Sequence, residues 1–247
     1  MPSDLYPEYM TRNLILLFLW LAFPFQISFG QNPEPNKQDP LQDSIHKYTQ
    51  MAQYEKVVQF ATTWAELCKG KHGPESKAYG AALITLGNAL NRTGKSKEAE
   101  PLLLQGLEIQ KKALGEDHPD VAKSLGRLGL LYSNMVNYSK AETCFLTAQE
   151  IFRKTPGTNL LAEASMLNNF GNLYRFMGKY AKAEPCFLSA LEINKKALGE
   201  EHPEVANSMN NLGNLYSEMG NYPKAEPYYL KSLEICKKAL GENHPQV

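Results

Sequence analysis

Apolar residues along this chain recur with helical spacing, and the recurrence itself has a longer period. Glycine stands at positions 87, 129, 171 and 213, each 42 residues after the last, and Ala-Glu pairs begin at 99, 141, 183 and 225 with the same step. Two further columns share it, namely leucines 104, 146, 188 and 230 and isoleucines 109, 151, 193 and 235. So regular a period predicts a repeat protein whose unit is one supersecondary structure.

Each unit contains two apolar stripes with α-helical spacing. The first, which we name helix A, surrounds the glycine, and in the third unit it comprises Leu167, Phe170 and Tyr174. The second, helix B, follows the Ala-Glu pair, and in the same unit it comprises Phe187, Leu188, Leu191 and Ile193. Neither helix can bury its stripe alone, so neighbouring units must stack. The pattern predicts an all-α fold, a right-handed superhelical solenoid of antiparallel helix pairs.

The period divides the chain into units. Four regular repeats are predicted at 75–117, 118–159, 160–201 and 202–243, and 244–247 starts a further, truncated repeat. Tyr54-Glu55-Lys56-Val57 precedes Tyr180-Ala181-Lys182-Ala183 by 126 residues, three periods, so 41–74 is predicted to be a degenerate N-terminal capping repeat. Residues 31–40 are then a linker.

The residues of the fourth unit carry a family resemblance. Asn210-Asn211-Leu212-Gly213-Asn214-Leu215-Tyr216, Ala225-Glu226-Pro227, Leu233-Glu234-Ile235 and the following His244-Pro245 resemble the tetratricopeptide repeat in its 42-residue form, typified by kinesin light chains. The resemblance implies a scaffold that binds a protein or peptide in the concave groove formed by the A helices. It also leaves open an alternative, in which the array regulates a longer enzyme, such as a bacterial CHAT-type peptidase or a sensor kinase, whose catalytic domain lies beyond Val247.

The first 30 residues have the features of a secretory signal peptide. Arg12 precedes an apolar run from Leu14 to Phe25, and Ser28 and Gly30 put small residues at the −3 and −1 positions of a cleavage point. The run is shorter than the roughly 20 apolar residues that span a membrane. The sequence thus predicts export, to the periplasm or the medium, with membrane contact only through an uncleaved signal segment. Anchoring by residues 14–29 is the alternative.

Composition narrows the classes of partner. The chain is 43% hydrophobic and 21% charged, with 26 basic and 26 acidic residues, so no net field draws it to nucleic acid. Its four cysteines form no C-x-x-C pair. Cys144 and Cys186 share a column of adjacent units, about 10 Å apart by helix packing, which is too far for a disulfide. We expect both to be buried apolar residues.

Motifs for catalysis, cofactors and metals are weak. Residues 89–96 (ALNRTGKS) fit the loose phosphate-binding loop pattern, but they end a predicted helix A and do not follow a strand. His118, His202 and His244 each precede a proline, one per unit, and so supply no convergent metal ligands. The sequence predicts no catalytic residue, no cofactor, no metal and no small-molecule substrate.

The face of helix A that is not needed for packing is rich in amides. We predict that it contacts the partner through columns six and three residues before the glycine and one and four after it, namely Asn88, Asn91, Lys123, Ser165, Asn168, Asn172, Arg175, Asn207, Asn210, Asn214 and Ser217. An amide both donates and accepts, so such a row suits the main chain of an extended peptide. Alternatively, the asparagines stabilise neighbouring helices. Because Asn168 and Asn210 stand where chaperone-tail-binding relatives carry lysines, a strict carboxylate clamp there is not expected.

Overall fold

The computed structural model describes residues 40–240, and within that range the chain forms ten α-helices and no strand. The helices are α1 (Pro40–Gln50), α2 (Tyr54–His72), α3 (Lys77–Arg92), α4 (Ser96–Leu114), α5 (Pro119–Asn134), α6 (Tyr138–Lys154), α7 (Leu160–Phe176), α8 (Tyr180–Leu198), α9 (Pro203–Glu218) and α10 (Tyr222–Leu240). The predicted A helices are α3, α5, α7 and α9, and their B partners are α4, α6, α8 and α10. The all-α repeat array is confirmed. Helix α1 begins at the last residue of the predicted linker.

The predicted signal peptide, its alternative as an anchor, and the truncated repeat at 244–247 lie outside the described residues. Among residues 40–240, no helix is both long enough and apolar enough to cross a membrane.

Two of the A helices begin at a His-Pro pair, in which the histidine caps the helix and the proline is its first residue. His118 precedes α5 and its Nδ1 accepts a hydrogen bond from the Asp120 amide at 3.1 Å, while His202 does the same for the Glu204 amide of α9 at 3.1 Å. The following proline occupies the first helical position, where no backbone N–H is needed. These histidines therefore cap helices.

The turn between the two helices of a unit needs a backbone with positive φ. Glycine supplies it in units one, three and four, as at Gly178 with φ 69°. Unit two has Val136 there, and the residue adopts φ 59° nonetheless. The turn geometry is thus preserved at a position where a β-branched side chain is strained.

Helices A and B approach closely at the periodic glycine. A Cβ built on Gly171 would lie 2.7 Å from Cε1 of Phe187, and the same placement at Gly129 would meet Phe145 at 2.7 Å. Ala183, the first residue of the Ala-Glu pair, is fully buried. Small residues in both columns therefore let a large ring from helix B lie against the backbone of helix A.

Adjacent units are joined by a repeated tyrosine contact that the sequence reading did not include. The hydroxyls of Tyr132, Tyr174 and Tyr216 donate to Glu100 at 2.9 Å, Glu142 at 3.0 Å and Glu184 at 2.6 Å, each on the preceding helix B. A lysine ammonium lies over each ring, and for Tyr132 it is Lys140 at 4.8 Å from the centroid. Burial, with the hydrogen bond to Glu100, raises the pKa of Tyr132 to about 12. These contacts tie α5, α7 and α9 each to the unit before it.

The apolar face predicted for helix B is partly wrong. Leu188 is 37% exposed, and its counterparts in the other units are also exposed, namely Leu104, Leu146 and Leu230. The buried stripe of α8 instead comprises Ala183, Cys186, Phe187, Ala190, Leu191 and Asn194. This spacing of three and four residues keeps side chains on one helix face, and a leucine directly after Phe187 is turned about 100° away from it.

Candidate functional site

Two neighbouring cavities lie along the A helices, and we call them together the A-helix groove. The first, about 250 Å³, lies across α3, α5 and α7 and is lined by Asn88, Arg92, Lys123, Gly126, Arg127, Leu130, Ala162, Ser165, Met166 and Asn169. The second, about 520 Å³, lies among α7, α8 and α9 and is lined by Leu161, Ser165, Asn168, Asn169, Asn172, Asn194, Leu198, His202, Glu204, Asn207 and Asn211. Ser165 and Asn169 belong to both. We name them the cationic pocket and the amide pocket.

Hydrogen bonds between side chains fix the position of some amides in the amide pocket. The Asn168 amide nitrogen donates to Ser208 Oγ at 3.3 Å, and its oxygen accepts from Asn211 Nδ2 at 3.3 Å. Asn194, buried on α8, donates to the same Ser208 hydroxyl at 3.0 Å and to the Glu204 carbonyl at 3.4 Å. This network fixes the floor of the pocket and joins α8, α7 and α9.

Other amides of the pocket keep free hydrogen-bonding groups. Neither Asn169 nor Asn207 forms a side-chain hydrogen bond within residues 40–240, and Asn207 is exposed. Asn172 accepts from Arg175 Nε at 3.3 Å through its oxygen. Its amide nitrogen remains available to donate. The pocket thus offers donors and acceptors from two adjacent helices to a third group.

The cationic pocket combines three basic side chains with different surroundings. Lys123 forms an ion pair with Asp120 at 2.5 Å, and the Arg92 guanidinium lies 5.8 Å from the centre of the Tyr54 ring. Burial raises the pKa of Asp120, but Lys123 and the neighbouring cations outweigh it and leave that pKa below its ordinary value. Arg127 forms no hydrogen bond or ion pair with any residue from 40 to 240.

Burial lowers the pKa of the Arg127 guanidinium, and the charge of Asp120 opposes that effect only in part. An arginine stays protonated under ordinary conditions, so the lowered pKa expresses the cost of holding this charge away from water. Arg127 is therefore a half-buried cation without a direct partner in the described chain.

The structure places six of the eleven predicted contact residues in the groove. Asn88 and Lys123 line the cationic pocket, Asn168, Asn172 and Asn207 line the amide pocket, and Ser165 lines both. These six belong to three of the four predicted columns.

The remaining five lie outside both cavities. Asn91 is only 4% exposed, and its oxygen accepts from Ser96 at 2.8 Å and Asn134 at 3.2 Å. The Asn214 oxygen accepts from the Tyr229 hydroxyl at 2.9 Å, and Arg175 forms an ion pair with Glu218. Asn210 is exposed and Ser217 half-buried. Asn91, Arg175 and Asn214 thus bind neighbouring helices.

One column was missed by the sequence reading. Arg127, Asn169 and Asn211 stand two residues before the glycine, and all three line the groove. A signal was present, because this column is polar in every unit and begins with Thr85. Columns that are spaced by four, three and four residues follow one α-helical face more closely than the predicted columns, which are spaced by three, four and three. The corrected face also includes Arg92.

Two cysteines of the described chain, half-buried Cys144 and buried Cys186, have weakly reactive thiols. Burial raises the pKa of the Cys144 and Cys186 thiols to about 11, which keeps them protonated and poorly nucleophilic near neutral pH. Within residues 40–240, no three side chains of the metal-binding types come together.

Comparison with known proteins identifies the repeat. The family model described as the tetratricopeptide repeat matches residues 78–154, 121–196, 162–238 and 206–247. No curated protein sequence matches the chain.

Solved structures share the fold at low sequence identity. The putative kinesin light chain of Podosopora anserina, with nearly identical TPR-like repeats, aligns with TM-score 0.61 and 22% identity over 81% of this chain and 95% of its own. BtubC (BKLC) from P. vanneervenii gives TM-score 0.61 and 20% identity over 83% and 91%. MamA from Desulfovibrio magneticus RS-1 gives 0.53 and 14% over 81% and 95%. Such arrays generally serve as scaffolds for protein–protein interaction, and this chain belongs to the tetratricopeptide repeat family.

Proposed function

We propose that the A-helix groove binds an extended segment of a partner protein and that the array does no chemistry on it. The observation that carries the proposal is the set of free amide groups in the amide pocket. Asn169 and Asn172 of α7 and Asn207 of α9 present donors and acceptors from two neighbouring helices. A main chain in extended form has the same alternation of donors and acceptors.

The energies of these hydrogen bonds indicate a weak and reversible complex. Each hydrogen bond between neutral groups contributes about 0.5–1.5 kcal/mol net. Three such bonds give modest affinity, which suits a scaffold that holds and releases a partner. The network of Asn168, Asn194 and Ser208 already fixes the pocket floor, so little ordering is required on binding.

The test uses an array of random, C-terminally amidated octapeptides probed with the full chain. Retained peptides are then measured in solution by fluorescence anisotropy against wild type and the double variant Asn172→Ala, Asn207→Ala. Loss of two hydrogen bonds should weaken binding by about ten- to a hundredfold. The matched control is Gln105→Ala, which removes an exposed amide from α4 and should leave affinity unchanged. Equal affinity of the folded double variant would overturn the proposal, as would an array that retains no peptide.

We further propose that residues 1–30 direct export and are removed. The support is Arg12, the short apolar run and the small residues Ser28 and Gly30. Mass spectrometry of the exported product should find a chain that begins near Gln31. A product that keeps Trp20 in the membrane fraction would contradict this.

A further inference from the structure

A further cavity lies away from the A-helix groove, and its lining combines apolar and acidic side chains. It has a volume of about 500 Å³ and is formed by residues of α6, α7 and α8. Leu167, Leu188 and Ile193 supply its apolar surface, and Glu163 and Glu192 supply two carboxylates. Among the described residues, none that lines it also lines the cationic pocket or the amide pocket. We call it the α8 depression.

Two positions that are apolar and buried at the neighbouring junctions of the array are polar at this one. Gln149 and Glu163 hold them between units two and three, and both line the α8 depression. Between units one and two, and between units three and four, the same positions are held by buried leucine and valine, namely Leu107 with Val121 and Leu191 with Val205. Each unit is stabilised through contact with its neighbours, so polar residues at both positions sacrifice packing. Such a departure from the local pattern indicates a use other than stability.

The carboxylates of the α8 depression are not neutralised within the described chain. Neither Glu163 nor Glu192 forms a side-chain hydrogen bond or an ion pair with any residue from 40 to 240, and no basic residue of that range lines the cavity. The other glutamates in the column of Glu192 are each paired with a basic residue, namely Glu108 with Lys112, Glu150 with Arg153 and Glu234 with Lys238. Burial raises the pKa of Glu163, and an incoming cation would oppose that effect.

An arginine side chain matches both parts of this lining. Its guanidinium has five N–H donors in a planar fork that fits carboxylates, and it is less strongly hydrated than an ammonium, so it loses less on entering a half-buried site. Its methylene stem can pack on leucine and isoleucine while the charged end meets the acids. We propose that the α8 depression binds an arginine side chain of a partner protein.

This contact is separate from the one in the A-helix groove and does not require it. A single side chain gives little affinity by itself, so the octapeptides that the array retains are still selected by the groove. The arginine adds affinity and orientation to a larger interface, in which the partner also covers the exposed Leu188.

A role for Glu163 in stability alone makes the opposite prediction for its replacement. Glu163 lies in the first turn of α7, where a negative charge is favourable, and Asn159 forms no side-chain cap there. If that were its role, Glu163→Val would lower the melting temperature. If the position serves recognition, Glu163→Val restores the residue of the neighbouring junctions and should raise the melting temperature, as should Gln149→Leu. This readout requires no ligand.

The binding test titrates the protein with Nα-acetyl-arginine amide and follows the methyl signals of Leu188 and Ile193 by NMR. Both signals should shift until they saturate, with a dissociation constant in the millimolar range, as expected for one side chain. Nα-acetyl-citrulline amide has nearly the same shape without the charge and should produce no saturable shift. Nα-acetyl-lysine amide should bind more weakly than the arginine probe, because its ammonium is more strongly hydrated and lacks the planar fork.

Variants locate the probe. Glu163→Val and Glu192→Gln should each weaken binding of the arginine probe about tenfold or more, since hydrogen bonds to charged groups are the stronger kind. The matched control Glu108→Gln removes an exposed glutamate of the same column and should leave the affinity unchanged. Equal shifts with the arginine and citrulline probes, equal affinity for the lysine probe, or a lowered melting temperature of Glu163→Val would overturn this inference and leave the proposed function intact. An array that retains no octapeptide would overturn the proposed function and leave this inference intact.

Discussion

The close approach of helices A and B at Gly171 predicts an unusual sign for a glycine-to-alanine change. In an ordinary helix interior, alanine is more favourable than glycine by about 0.8–1.0 kcal/mol. At Gly171 the new methyl carbon would lie 2.7 Å from Cε1 and 2.8 Å from Cδ1 of Phe187, whereas unstrained carbon contacts are about 3.5–4.0 Å. Phe187 is fully buried, so its ring cannot move into solvent.

Overpacking of this kind typically costs about 1–3 kcal/mol, and here the steric cost should exceed the gain in helix propensity. We expect Gly171→Ala to lower the free energy of unfolding by up to about 2 kcal/mol. Gly70 in α2 is the matched control, because nothing lies within 4 Å of a Cβ built there. Gly70→Ala should raise the free energy of unfolding by up to about 1 kcal/mol. Urea denaturation followed by circular dichroism measures both. A Gly171→Ala variant as stable as Gly70→Ala would refute the packing argument.

Two further changes test the turns and the contacts between units. Val136→Gly should stabilise the array by about 0.5–1 kcal/mol, because φ 59° is strained for valine. The valine side chain is 67% exposed, so its removal gives up little buried apolar surface. Thermal melting checks this. Tyr132→Phe should cost about 0.5–1.5 kcal/mol by removing the bond to Glu100. Because the pKa of Tyr132 is raised to about 12 in the folded chain, this stabilisation is complete below pH 10 and is lost as the pH rises to about 12. Over that interval the wild type should lose more stability than Tyr132→Phe. Denaturation measured at a series of pH values checks this.

The fold could be predicted from the sequence because its signals are local and repeated. The stripe of Leu167, Phe170 and Tyr174 recurs in each unit, and glycine or proline marks the helix ends. The exposed Leu188 column was misassigned for a physical reason. A hydrophobic residue can be buried, but hydrophobicity does not say which face of the helix is buried. Phe187 faces the core, so Leu188, the next residue, points away from it.

The site could be predicted only in part because it depends on contacts between units. Asn91 and Asn214 belong to the predicted polar columns, yet their oxygens accept hydrogen bonds from Asn134 and Tyr229. Asn134, which donates to Asn91, lies 43 residues further along the chain. A search for recurring columns does not show which residues form hydrogen bonds with each other. Whether an acidic side chain contacts Arg127 likewise depends on how the neighbouring helices pack, and the sequence does not show this.

The location of the bound segment is tested most directly by photo-cross-linking. Benzoylphenylalanine would replace Leu161, a 49% exposed residue at the edge of the amide pocket, or Leu188, a 37% exposed residue in a separate depression on α8. Each labelled chain is irradiated with the fluorescent octapeptide that the array retains most strongly. A cross-link from position 161 and none from position 188 is the result that groove binding predicts. A cross-link from position 188 alone would place the partner on the B helices and contradict the account.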